Sequence, residues 1–195
     1  MKWIDFEREI KKKNIKLFTP FDVQSFLGRS KIAVRFLMHR LKKQGYIESI
    51  KRGIFKLSDE AVPDLYIANK LYEPSYLSLE FALSYHGIIP EAVYEITSVT
   101  TKATRRFETL GKVYSYKKIT RRAFTGYSIQ KQNNLGFAIA DPEKAFVDLT
   151  YLRLRKRKQL LSRFDKKKLN PTKTLRYAKL FNNGKLIGVI KTTLR

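Results

Sequence analysis

From Met1 to Lys16 the chain sets Trp3, Ile4, Phe6, Ile10 and Ile15 among charged residues. That spacing predicts a first helix with an apolar stripe turned toward a core. Thr19-Pro20 then reads as a second helix start: a hydroxyl to cap free N–H groups and a proline where no N–H is needed. Gly28 ends that helix, Ser30 caps a third, and Gly45 stops it after a run without proline or glycine to Gln44. Along this third helix Val34, Leu37, Met38 and Leu41 share one face, while Arg35, His39 and Lys43 follow at i, i+4, i+8 on another. One face packs and the other is free.

Tyr46–Ile50 and Ile54–Leu57 read as two short strands joined through Lys51, Arg52 and Gly53, a basic turn with glycine at the bend. Three helices followed by a hairpin make a winged helix-turn-helix over residues 1–62. Ser58–Pro63 loses periodicity and marks a boundary, with Asp64–Leu71 expected as a linking helix. In residues 63–195 a deeply packed helix is expected after Ser78 as cap, with Glu80 in its first turn and Gly87 as its stop. Val93–Thr100, Gly111–Ile119, Tyr127–Gln130 and Leu135–Ala140 read as strands of a small, mainly antiparallel sheet, with a polar turn through Lys102, Arg105 and Arg106. Asp141-Pro142-Glu143 repeats the helix-start pattern with Asp141 as cap. Asn170-Pro171 starts another helix that Asn183-Gly184 ends, and Leu186, Ile187, Ile190 and Leu194 fit a last one. The expected class is α+β: a winged helix-turn-helix, then a mixed α/β domain closed by C-terminal helices.

Charge sharpens this picture. The formal net charge is +24, a self-repelling balance that points to a polyanionic partner. Residues 1–60 carry 15 basic and 7 acidic side chains, 61–150 carry 11 and 9, and 151–195 carry 15 and 1, so two basic ends flank a nearly neutral middle. The tail is densest at Arg153, Arg155, Lys156, Arg157 and Lys158. The chain has no cysteine, which excludes disulfides, thiolate metal sites and cysteine nucleophiles. No apolar stretch has the length of a signal peptide or of a membrane span of about 20 residues, so a cytoplasmic protein without a membrane partner is expected.

Enzymatic chemistry finds little support in the residues. His86 with Glu80, Glu95, Asp141, Glu143 and Asp148 is the one constellation that suggests it, but Glu80, Asp141 and Glu143 sit where helix dipoles favour acids. No Gly-rich phosphate loop, nucleophile–base order or paired catalytic acids stand out. No catalytic residue, metal site or cofactor is expected.

The second half carries a resemblance. Tyr76-Leu-Ser-Leu-Glu80, Ala82-Leu-Ser-Tyr-His86-Gly87, Ile89-Pro-Glu91, Ile96-Thr-Ser-Val-Thr100, Arg106-Phe107, Phe124, Gly126-Tyr127, Ala140-Asp-Pro-Glu-Lys144-Ala145 and Asp148-Leu149 closely resemble the AbiEi antitoxins of bacterial abortive-infection systems. Residues 75–152 carry the likeness, and the winged helix in front extends it over nearly the whole chain. The resemblance implies a type IV antitoxin of phage defence: an autorepressor that binds inverted repeats in its own promoter and counteracts a nucleotidyltransferase-like toxin, with direct contact between the two left open. On that reading Arg35 reads bases, Lys31, Lys51 and Arg52 hold phosphates, and Ser30, His39 and Lys43 line the same face. Arg155, Lys156, Arg157 and Lys158 form a second DNA contact. The alternative is a general RNA- or DNA-binding accessory protein in which this tail supplies the affinity.

Overall fold

The computed structural model describes residues 2–194, and the chain divides into two compact units at Val62/Pro63. In the first, helices α1 (Trp3–Lys12), α2 (Pro20–Leu27) and α3 (Lys31–Lys43) precede a hairpin of β1 (Ile47–Lys51) and β2 (Ile54–Leu57). The helix ends follow the residues expected of them. Thr19 Oγ1 accepts from the Asp22 amide, Ser30 Oγ accepts from the Ala33 amide, and Gly28 and Gly45 take left-handed φ of 63° and 77°. Phe18 exchanges two 2.9 Å backbone hydrogen bonds with Phe55, adding a third, one-residue rung that ties the hairpin to the helices.

The core of this unit runs through Phe6, Ile10, Phe18, Val23, Leu27 and the four buried apolar residues of α3, Val34, Leu37, Met38 and Leu41. Phe6 meets Phe18 and Phe26 edge-on at centroid distances of 5.4 Å. Two positions expected in the α1 stripe are outside it. Ile4 is exposed because it lies on the far side of the helix, and Ile15 lies beyond the helix end.

The second unit is a six-stranded mixed sheet with helices. Its elements are α4 (Asp64–Leu71), β3 (Ser75–Leu77), α5 (Leu79–Tyr85), β4 (Ile96–Thr100), β5 (Arg105–Thr109), β6 (Lys112–Lys118), β7 (Tyr127–Gln132), β8 (Leu135–Ala140), α6 (Pro142–Arg155), α7 (Pro171–Lys179) and α8 (Gly184–Thr193). Strand order is β5-β6-β4-β3-β8-β7. β3 pairs antiparallel with β4 and parallel with β8, β4 pairs parallel with β6, and β5–β6 and β7–β8 are antiparallel hairpins. Each hairpin closes through two left-handed residues, Leu110-Gly111 and Asn133-Asn134, the geometry whose twist matches the flanking strands.

Several local expectations are corrected. Arg105 and Arg106 belong to β5 rather than a turn, because each pairs across to β6. Ser75–Leu77 is a strand, too short for its alternation to show in the sequence. Helix α4 does not link: Ile67, Ala68 and Leu71 are buried, Tyr116 donates to the Ala68 carbonyl at 2.5 Å, and the Ala138 amide donates to the Asn69 side chain at 2.5 Å. Asn183 opens α8 rather than closing α7, its side chain accepting from the Leu186 amide. Among the described residues no helix is long and apolar enough to cross a membrane.

Candidate nucleic-acid interface

A cleft of about 730 Å³ runs between α3 and the hairpin of the first unit. From α3 it takes Lys31, Arg35, His39 and Lys42, which succeed one another at helical spacing, and from the hairpin Arg52 and Gly53. The helix can present this stripe because Val34, Leu37, Met38 and Leu41 hold its other side in the core. Gly53, with φ of 85°, makes the tight turn that carries Arg52.

The electrostatics of the unit are segregated. Its seven acids lie away from the cleft: Asp5 and Asp22 cap helices, Glu7 and Asp59 share Lys11, Glu9 pairs with Lys13, Glu60 with Lys16, and Glu48 with Lys56. Lys31, Arg35, Lys42 and Arg52 have no carboxylate partner among the described residues. A cleft lined by one sign of charge focuses field and draws in a polyanion.

Of the residues expected to face DNA, the fold gathers Lys31, Arg35, His39 and Arg52 in the cleft. Lys43 lies on the adjacent outward stripe of α3, and Lys51 sits in β1 next to Arg52. The Ser30 hydroxyl is engaged in the helix cap. Lys42 joins them without having been expected, although its place seven residues after Arg35 puts it on the same stripe. Ile32 and Phe36 lie outside the cleft lining, 67% and 64% exposed on the side of α3 opposite the core. The Arg35 guanidinium lies 5.7 Å from the Phe36 ring centre.

The four tail residues belong to the second unit. Arg155 is the last residue of α6, Lys156 caps it, Arg157 turns left-handed with φ of 51°, and Lys158 follows, all four exposed.

Of the residues that suggest an enzyme in the sequence, Asp148 sits in a fully buried network of the second unit, whereas Glu95 is exposed and the others have partners of their own. Lys144 donates to Asp148 one helical turn away, both fully buried. Asp148 also accepts from the Tyr76 hydroxyl at 3.0 Å and the Ser78 hydroxyl at 2.9 Å. Burial pushes the Asp148 carboxyl up and the Lys144 amine down, and their mutual attraction opposes both. Asp141 accepts from Tyr177 at 2.6 Å and pairs with Lys173 at 2.9 Å. Burial acts to raise its carboxyl, but those two donors outweigh burial and hold it below the ordinary range. Neither Ser78 nor Asp141 caps with its side chain: Ser78 is drawn to Asp148, and Asp141 to Tyr177 and Lys173. His86 Nε2 lies 2.8 Å from the Ala140 carbonyl, and Glu80 pairs with Arg153 at 3.2 Å. Gly126 is demanded twice over, by a φ of 77° and by the Tyr177 ring 2.8 Å from where a Cβ would stand.

No family model matches the chain, and no curated protein matches it. Among solved structures it is similar to the Rv2827c protein from Mycobacterium tuberculosis, with 13% identity, a TM-score of 0.54 and coverage of 96% of this chain and 78% of that one. At that identity the likeness shows the fold alone.

Proposed function

We propose that this protein is a cytoplasmic, double-stranded-DNA-binding repressor of its own operon and, on the resemblance of its second unit to the AbiEi antitoxins, the antitoxin of a pair whose toxin is nucleotidyltransferase-like. The observation that carries the DNA-binding part is the cleft of the first unit, where cations from α3 and the hairpin stand together while every acid of the unit is engaged elsewhere.

On this reading α3 enters the major groove and the hairpin lies along the backbone. Arg35 pairs its fork with guanine O6 and N7, while Lys31, Lys42, Lys51 and Arg52 hold phosphates and set the register. Ile32 and Phe36, apolar and outward-facing, meet the edge of the groove where thymine carries a methyl group.

The test is binding of the full chain to duplex carrying its own upstream region, to random duplex and to structured RNA. Preference for the upstream duplex is expected, with Arg35→Ala costing about 1–3 kcal/mol of that preference and leaving the fold intact. Unchanged operator affinity in folded Arg35→Ala protein removes α3 from the specific contact. Equal affinity for all three nucleic acids favours the accessory-protein reading built on Arg155–Lys158. The antitoxin half is checked by co-expression with a nucleotidyltransferase-like neighbour, where growth is rescued only when this chain is present.

A further inference from the structure

We infer that the second unit binds a mononucleotide in a cavity bounded by α5, α6 and strands β4 and β6. The inference is independent of the DNA-binding reading, since every residue it uses lies between Leu79 and Gln159.

The cavity is about 850 Å³, within the roughly 300–1,000 Å³ usual for small-molecule sites. Leu79, Leu149 and Leu152 give it an apolar wall. Thr97 and Ser115 stand beside each other in the parallel β4–β6 register and line it together. Thr97 is satisfied, donating to the Ser78 carbonyl at 2.7 Å and accepting from the Phe81 amide at 3.2 Å. Ser115 is not: its hydroxyl is fully buried and has no hydrogen-bond partner. As placed, that hydroxyl is out of reach of a ligand in the open cavity, like the equally unpartnered Ser98 hydroxyl, so the kind of ligand is read from the charge and the ring that line it.

Charge says what kind of ligand. Lys117, Arg153, Lys156 and Lys158 line the cavity against the carboxylates of Glu80 and Glu95; Glu80 is taken up by Arg153, and none of the three lysines has an ion-pair partner among the described residues. Two of them follow α6, where the helix dipole favours cations, but Lys117 projects from a strand and has no such reason to be there. Their positions are set by the backbone: the Lys158 amide donates to the Arg153 carbonyl at 2.9 Å, closing the turn that Arg157 makes. Arg153 is in turn fixed by Glu80 and by the Gln159 carbonyl, each at 3.2 Å. Four cations against two carboxylates leave the lining net positive, which fits a ligand with several negative charges close together, as in a di- or triphosphate.

The ligand also has a flat body. Tyr94, also in the cavity lining, is 89% exposed, a ring free for a base to stack on. Polyphosphate against the lysines and base on Tyr94 describe a nucleoside polyphosphate.

The experiment is calorimetric titration of the full chain with ATP, GTP, CTP and UTP at physiological salt, with inorganic triphosphate and a short single-stranded RNA as separate arms. One-to-one binding of at least one nucleotide is expected. Lys117→Gln/Lys156→Gln/Lys158→Gln lowers that affinity by about tenfold or more, whereas Lys166→Gln/Lys167→Gln/Lys185→Gln, which removes as much charge from exposed positions elsewhere, changes it by less than about threefold. Tyr94→Ala weakens the nucleotide and leaves inorganic triphosphate unchanged. Absence of nucleotide binding overturns the inference. So does an equal drop in the two triple variants, or binding of the RNA without binding of any mononucleotide.

Discussion

Lys144 donates to Asp148 from one turn earlier on α6, and neither side chain touches solvent. The pair is completed by the Tyr76 and Ser78 hydroxyls on Asp148 and by the Phe181 ring 5.0 Å from the Lys144 nitrogen. Segments far apart in sequence thus meet on one carboxylate and its counter-ion. A buried pair of this kind is a weak source of stability but a strong constraint on which fold forms, because breaking it strands a charge.

Asp148→Ala is therefore expected to destabilise the second unit by about 3–5 kcal/mol, with Lys144 left unpaired. The double change Lys144→Met/Asp148→Leu recovers the part of that loss due to the stranded charge, while the Tyr76 and Ser78 hydroxyls stay without their acceptor. Urea unfolding followed by circular dichroism measures both. Trp3, the one tryptophan of the chain, reports the first unit separately by fluorescence. If the double variant is as unstable as Asp148→Ala, burial of charge is not the cause.

Much of this architecture is legible in the residues, and the limits have physical causes. Thr19, Ser30, Gly28 and Gly45 act locally, so their roles in the first unit follow from short-range chemistry alone. Ser78 and Asp141 look like the same kind of residue and are not: their partners, Asp148 and Tyr177, come from 70 and 36 residues away. A cap is a local competitor, and tertiary partners prevail over it here. The same limit hides the cavity, because Lys117 and Lys156 are a sheet and a helix apart in sequence and only the parallel β4–β6 pairing beneath α6 brings them to one wall. Ile32 and Phe36 are legible by spacing: they fall off the face shared by Val34, Leu37, Met38 and Leu41, and an apolar side chain left on the outer face of a helix is itself the signal.

The Asp141–Lys173–Tyr177 cluster gives the second unit a pH signature. Asp141 lies below its ordinary value in the fold, so the stability it contributes is present above about pH 4 and disappears as acid protonates it. For Lys173, burial lowers the amine but the Asp141 and Glu143 carboxylates more than offset it and hold it above its usual 10.5. Its contribution is complete below that pH and disappears as alkali removes the proton. Tyr177 is pushed up to about 12 by burial and by Asp141, and it fades in the same direction. Melting temperature measured against pH for wild type and Lys173→Met should show a gap that is widest near neutrality and narrows below about pH 4. A gap of constant size down to pH 3, roughly one unit under the carboxylate range, means that Lys173 acts only by packing.

Lys31 and Arg52 approach the cleft from α3 and from the hairpin, and both are assigned to phosphates. Neutralising the two should weaken binding to operator and random duplex alike. The slope of log affinity against log salt should become shallower by about 0.9 for each phosphate no longer neutralised. A selective fall in operator preference with an unchanged slope would assign them to base reading.

Phe36 supplies the sharpest check on how α3 faces its target. Its ring is 64% exposed beside Ile32, one turn earlier, and lies against the Arg35 guanidinium, so it stands next to the side chain expected to read guanine. An exposed ring costs solubility, and in a groove its gain comes from covering an apolar group on the base edge, which in DNA is the thymine methyl. Replacing operator thymines by uracil one position at a time deletes that methyl while keeping every hydrogen-bonding group. At the contacted position the change should weaken wild-type binding, with an upper bound near the roughly 1–3 kcal/mol of a good base contact. Phe36→Ala should weaken binding to the thymine operator and be nearly blind to uracil at that position, so the two changes together cost no more than the larger one alone. Equal sensitivity to uracil in wild type and Phe36→Ala sinks the methyl contact while leaving Arg35 and the cleft untouched as the DNA-binding surface.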